Sequence, residues 1–161
     1  MKQNILAILI GALLAVSMGG PAKAGQLEDG EAAYFKHDYA EAIRLLRPLA
    51  DKGSVTAENR LASIYFWGGH GVRPDPAQAA LWYRKAADQG NALAQAHLGL
   101  IYEHGYGVPK DPVMACMWLD LALSRAPSLS MAVKLRDEVA AKMTPAQIAE
   151  AARLAEQWEP K

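Results

Sequence analysis

The chain has 161 residues, 52% of them hydrophobic and 21% charged, with 17 basic and 17 acidic side chains and no net charge. Alanine, the best helix former, is the commonest residue and aromatics make up only 7%, which argues against an all-β fold; the apolar content argues against a disordered chain. The charge balance offers no basic patch for nucleic acid, and a single Cys excludes a disulfide framework within the chain.

In chain order, Lys2 precedes an almost unbroken apolar run from Ile5 to Val16, which Ser17 to Pro21 interrupt. Ala22-Lys23-Ala24 then reads as a small-x-small cleavage site, so residues 1–24 are expected to be a signal peptide cut between Ala24 and Gly25. The competing reading is a membrane anchor, but the run falls short of the ~18–20 residues needed to span a bilayer. Loss of Lys2 and Lys23 leaves 15 basic against 17 acidic residues, a mature charge of −2. The mature form is expected not to span a membrane and to be periplasmic or secreted.

Residues 25–53 read as a partial helical unit, its first helix over Leu27 to His37 with Ala33, Tyr34 and Phe35. Two full units follow, over 54–90 and 91–126. Ala57, Leu61 and Ile64-Tyr65 match Ala94, Leu98 and Ile101-Tyr102 at a spacing of 37. After one dropped residue, Gly71-Val72, Asp75-Pro76, Ala79, Trp82 and Ala86 match Gly107-Val108, Asp111-Pro112, Ala115, Trp118 and Ala122 at a spacing of 36. Asp38 to Ala42 and Arg47 to Gly53 repeat the same pattern one unit earlier.

Each unit reads as two helices. The apolar positions i, i+4, i+7 and i+8 form one stripe, and a Gly-rich connector stops the first helix. Asp75-Pro76 or Asp111-Pro112 opens the second, with Asp as N-cap and Pro at the first helical position. Residues 127–161 read as a capping helix pair. Ser130 to Lys142 carries Val133, Leu135 and Val139, and Thr144-Pro145-Ala146-Gln147 is a capping-box start for the last helix. Ile148, Ala151, Ala152, Ala155 and Trp158 give that helix its apolar side.

At these residues the chain resembles the Sel1-like repeat family. Ala94, Leu98-Gly99, Tyr102, Gly105-Tyr106-Gly107-Val108, Asp111 and Trp118 carry its pattern. Leu61, Tyr65, Gly71-Val72, Asp75, Trp82-Tyr83, Ala86-Ala87 and Gly90 carry it again. The departures are Ala62 in place of Gly, one extra residue in Gly68 to Gly71, and Leu119 in place of Tyr. The resemblance implies an all-α fold, a short α-solenoid similar to tetratricopeptide repeats, and an adaptor that binds proteins or peptides. Such helix pairs cannot bury their apolar faces alone, so units stack and leave a groove and open ends.

Motifs for chemistry are missing. His-Glu-x-x-His and Gly-x-Ser-x-Gly do not occur, and none of Ser54, Ser63, Ser124, Ser128 and Ser130 has Lys three positions later. The Gly68 to Val72 cluster lacks the Gly-Lys-Ser/Thr of a phosphate loop. Cys116 reads as a small core residue, with a reactive or dimer-forming thiol as the competing reading. Trp82 and Trp118 read as core spacers, and Asp75 and Asp111 as helix caps. His70 and His104 fall in or beside equivalent connectors that stacking could bring near each other; no third ligand stands at a fixed spacing, so they read as solvated loop histidines and no metal or cofactor is expected.

By the register of tetratricopeptide-like folds, the groove is expected to be lined by outward positions of each first helix. These are Thr56, Asn59, Ser63, Phe66 and Trp67 in one unit, and Leu93, Ala96, Leu100, Glu103 and His104 in the next. Phe66 and Trp67 stand out because aromatics dominate interface hot spots. The expected function is an exported protein–protein interaction module, adaptor or regulator of an envelope complex. The alternatives are a β-lactam-binding or hydrolysing enzyme like the disulfide-rich Sel1-like proteins, or a purely structural oligomer subunit. With so few units, a homodimer through an open end is a further candidate assembly.

Overall fold

The computed structural model describes residues 21–161; the leader expected over 1–24 lies, up to residue 20, outside the described residues. The described residues form eight helices: α1 (Pro21–Phe35), α2 (Tyr39–Ala50), α3 (Val55–Trp67), α4 (Pro76–Asp88), α5 (Ala92–His104), α6 (Pro112–Arg125), α7 (Ser130–Ala140) and α8 (Pro145–Glu156). Ala24 and Gly25 stand within the first turns of α1.

Local chemistry fixes the helix starts. The Asp38 carboxylate accepts from the Glu41 amide at 3.2 Å, Asp75 from Gln78 at 3.0 Å, and Asp111 from Val113 and Met114 at 3.0 Å each. Each satisfies backbone donors that have no partner inside the helix, worth about 1 kcal/mol. Thr144 and Gln147 form the expected reciprocal capping box at α8.

Every helix packs on the next, from α1 to α7, and α8 returns onto α6. Contacts also join α1 to α3, α5 to α7 and α6 to α8, which makes two layers of stacked helices, an all-α solenoid. The stack is held by contacts that repeat. The Asp75 amide donates to the Tyr65 carbonyl at 2.7 Å and the Asp111 amide to the Tyr102 carbonyl at 2.9 Å, so the two Tyr stand in equivalent places. Trp82 and Trp118 are buried, as expected of core spacers. Over each lies an arginine from the unit before: Arg47 is 5.2 Å from the Trp82 ring and Arg84 5.0 Å from the Trp118 ring.

The C-terminal pair closes the stack. Ala132, Leu135, Val139 and Ala151 are buried, whereas Val133 is exposed. Trp158 meets the Trp118 ring edge-on at 6.1 Å beneath Arg125. Among the described residues no helix is long and apolar enough to cross a membrane.

Candidate functional site

The last turn of α3 presents Phe66 and Trp67, and the chain then has to turn back sharply. Gly68 to Gly71 all have positive φ, and a Cβ on Gly68 would lie 2.5 Å from the Pro74 ring. Reciprocal Gly69 and Val72 backbone bonds of 2.8 and 3.0 Å close this connector. The tight path leaves Pro76, at the first turn of α4, beside the two aromatics.

The α5–α6 connector docks from the other side. Gly107, at φ +70, lies so close to the Pro76–Ala77 backbone that a Cβ there would be 2.4 Å from the Ala77 nitrogen. Glycine is needed for both the angle and the approach. This docking carries Tyr106 to Phe66, with ring centroids 5.6 Å apart and planes at 73°. Trp67 stands edge-to-face on Phe66 from another side, at 4.9 Å and 82°.

Phe66, Trp67, Pro76, Leu100 and Tyr106 thus line an open pocket of about 400 Å³, with no charged side chain in its wall. Trp67 is 66% exposed and contributes almost nothing to the core. Phe66 is half-buried against Tyr83, so it serves both the pocket and the packing between units.

Of the expected groove residues, Phe66, Trp67 and Leu100 come together here. Thr56 and Leu93 are exposed but stand in the first turns of α3 and α5, each about 16 Å along its own helix from the last residue, Trp67 or His104. Asn59 and Ser63 are half-buried, and the Ser63 hydroxyl lies 3.0 Å from the Tyr34 hydroxyl. His104 is exposed, its ring stacked on Tyr106 at 5.1 Å.

Two expectations are corrected. Ala96 is 0% exposed and Glu103 only 4%, so neither lines a groove. The register rule treats every unit alike, but α5 is followed by the cap, and α7 packs on it. Lys142, just beyond α7, seals Glu103 with an ion pair of 3.0 Å. Burial raises the pKa of the Glu103 carboxyl, but Lys142 and Lys110 together outweigh that and hold it below its usual range. His70 and His104 do not meet either: His70 stacks on His37, with centroids 4.9 Å apart.

Sequence reasoning missed Pro76 and Tyr106 as pocket walls. Pro76 has a complete local explanation as a helix start, and Tyr106 is the variable residue between two required glycines. The available signal was a large aromatic in a connector that is otherwise glycine and polar residues. His97 was also missed. Its ring stacks on Tyr83 at 4.5 Å, and burial lowers its pKa to about 4. Cys116 is buried, and burial with Asp120 nearby pushes its thiol up to about 11, which leaves it protonated and unreactive at neutral pH.

The comparisons agree with the fold. Among curated proteins, none matches the chain. The crystal structure of c5321, a protective antigen present in uropathogenic Escherichia coli strains and displaying an SLR fold, is similar with a TM-score of 0.76 and 35% identity. That likeness covers 84% of this chain, which spans only 29% of the antigen's chain. A Sel1 repeat protein from Oxalobacter formigenes is similar with a TM-score of 0.61 and 34% identity, over 71% of this chain and 88% of that one. Proteins built of such repeats generally mediate protein–protein interaction. The model of the Sel1 repeat matches residues 23–54, 55–91 and 92–126, the three segments that carry the stacked helix pairs α1–α2, α3–α4 and α5–α6. The chain therefore belongs to the Sel1 repeat family.

Proposed function

We propose that the chain is an exported protein–protein interaction module, an adaptor or regulator in the cell envelope, and that it holds a protein or peptide segment in the pocket between α3 and α5. One observation carries the reading: a 66% exposed Trp67 at the lip of an uncharged, aromatic-walled pocket. Leaving an indole in water forfeits burial of about 150–250 Å² of mostly apolar surface, which partner binding would recover. Exposed tryptophans in concave surroundings are also the residues that most often dominate binding energy. The apolar run and small-x-small site over 1–24 support the exported address.

The test is capture from an envelope extract on the immobilised protein, with Trp67→Ala alongside. A partner held by the wild type and lost by the variant, at unchanged melting temperature, is the expected result. A partner held equally by both would place the binding surface elsewhere.

A further inference from the structure

The charges on the connectors next to the pocket bear on what kind of segment fits it. Lys36, Arg73 and Lys110 recur at a spacing of 37, each on an exposed connector just ahead of the Asp that caps the next helix. Those Asp carboxylates are turned onto their helix amides at 3.0–3.2 Å. Among the described residues Lys36 and Arg73 form no ion pair. Lys110 reaches Glu103 only at 3.5 Å, and Lys142 already holds that carboxylate at 3.0 Å. Arg73 lies three residues before Pro76, a pocket wall, and the Lys110 backbone abuts Gly105, next to Tyr106. Each of the two connectors next to the uncharged pocket therefore carries a cation, Arg73 on one and Lys110 on the other, and no carboxylate lines the pocket wall.

We propose that its occupant is an extended acidic polypeptide segment, with one bulky apolar side chain in the pocket and carboxylates on Arg73 and Lys110. This rests on the interaction reading above and adds the chemistry of the partner. Stacked helices lie about 8–10 Å apart, and an extended chain advances about 3.3 Å per residue. Two carboxylates about three positions apart would match connectors at that spacing, with the apolar residue between them.

The experiment is selection of a randomised 12-residue peptide library displayed on phage against the protein, with affinities of enriched peptides read by fluorescence polarisation. The expected sequences place Asp or Glu within three positions of Trp, Phe or Leu. Their affinity is expected to fall at least fivefold between 50 and 500 mM NaCl, and at least tenfold in Arg73→Glu with Lys110→Glu. Arg73→Ser alone, at an exposed position, gives a second reading should the double variant fold poorly. Enriched sequences that lack acidic residues but still require Trp67 would overturn the acidic partner and leave the pocket standing. Sequences indifferent to Trp67→Ala would sink the pocket as well. Absence of any enrichment, or charge-sensitive binding to phosphatidylglycerol vesicles alone, would also overturn the proposal.

Discussion

The units α3–α4 and α5–α6 share a scaffold and differ in what they offer to the outside. Both hold the Asp-to-Tyr backbone bond, the buried Trp and the arginine that overlies it. Yet Phe66-Trp67 at the end of one first helix corresponds to Glu103-His104 at the end of the other. Phe66 faces the connector of the following repeat; Glu103 faces the cap and is sealed by Lys142. The same register position thus has a different environment according to what stacks next, so a repeat predicts its own scaffold better than its own surface.

The sharpest way to break the comparison is at the equivalent glycines Gly71 and Gly107. Both have positive φ, but a Cβ on Gly71 meets nothing within 4 Å, whereas one on Gly107 would enter the Pro76–Ala77 backbone. Gly71→Ala is expected to cost only the left-handed penalty, about 1–2 kcal/mol. Gly107→Val adds a backbone collision that no rotamer relieves, and a loss of about 3 kcal/mol or more is expected, a fall in Tm of about 10 °C. Equal melting curves for the two variants would mean the second connector does not dock on α4 as described.

These glycines also mark how far the sequence is legible. Stripe, cap and connector are local and repeat along the chain, so Ala57, Leu61, Asp75 and Thr144 announce their roles in their own neighbourhood. The pocket is not local. It exists because Gly107 brings a loop of one unit onto the first turn of the preceding unit's second helix, and no spacing within either unit records that contact. Phe66 and Trp67 were legible as aromatics off the core stripe. Pro76 and Tyr106 join them only through the stacking, Ala96 is buried, and Glu103 is sealed by Lys142, just beyond α7, which packs on α5.

A second contrast lies at Arg60 and His97, one register position in successive units. Arg60 pairs with Glu31 at 2.8 Å, whereas His97 stacks on Tyr83 with its Nδ1 buried and unpartnered. Burial lowers the His97 pKa from 6.5 to about 4, so the unfolded chain takes up the proton first as pH falls. The stabilising effect is complete above about pH 6.5 and is lost progressively toward pH 4. At pH 5 the gap of about 1.5 pH units amounts to roughly 2 kcal/mol. His97→Phe keeps the ring stack and removes the titration. Urea unfolding at pH 7 and pH 5 should therefore show the wild type losing roughly 2 kcal/mol more than the variant; parallel losses would contradict the buried neutral imidazole.

A smaller effect is expected where the helices of a unit touch. Gly99 meets Leu119, and an added Cβ would lie 2.4 Å from the leucine Cγ, while the register equivalents of the two in the preceding unit are Ala62 and Tyr83. Gly99→Ala gains about 1 kcal/mol of helix propensity and loses about 1–3 kcal/mol to overpacking, a net cost of about 1 kcal/mol. Leu119→Ala removes the colliding atoms, so the two substitutions should couple by about 1 kcal/mol in a double-mutant cycle. Additive losses would show that Leu119 moves aside freely.

The smallest expected change in stability sharpens the comparison most. Trp67→His gives the first unit the residue that the second carries at the equivalent position, His104. Trp67 is exposed and packs mainly on Phe66, so the variant should unfold within about 0.5 kcal/mol of the wild type. The pocket, in contrast, loses an aromatic wall, and ligand affinity should fall at least tenfold, as for truncation of an interface hot spot of about 2 kcal/mol. The two readouts separate because they depend on different neighbours: stability on atoms the indole already touches, binding on the face it leaves in water. A variant that unfolds early would mean that Trp67 supports the stack, and the two units would then differ in their scaffold as well as in their surface.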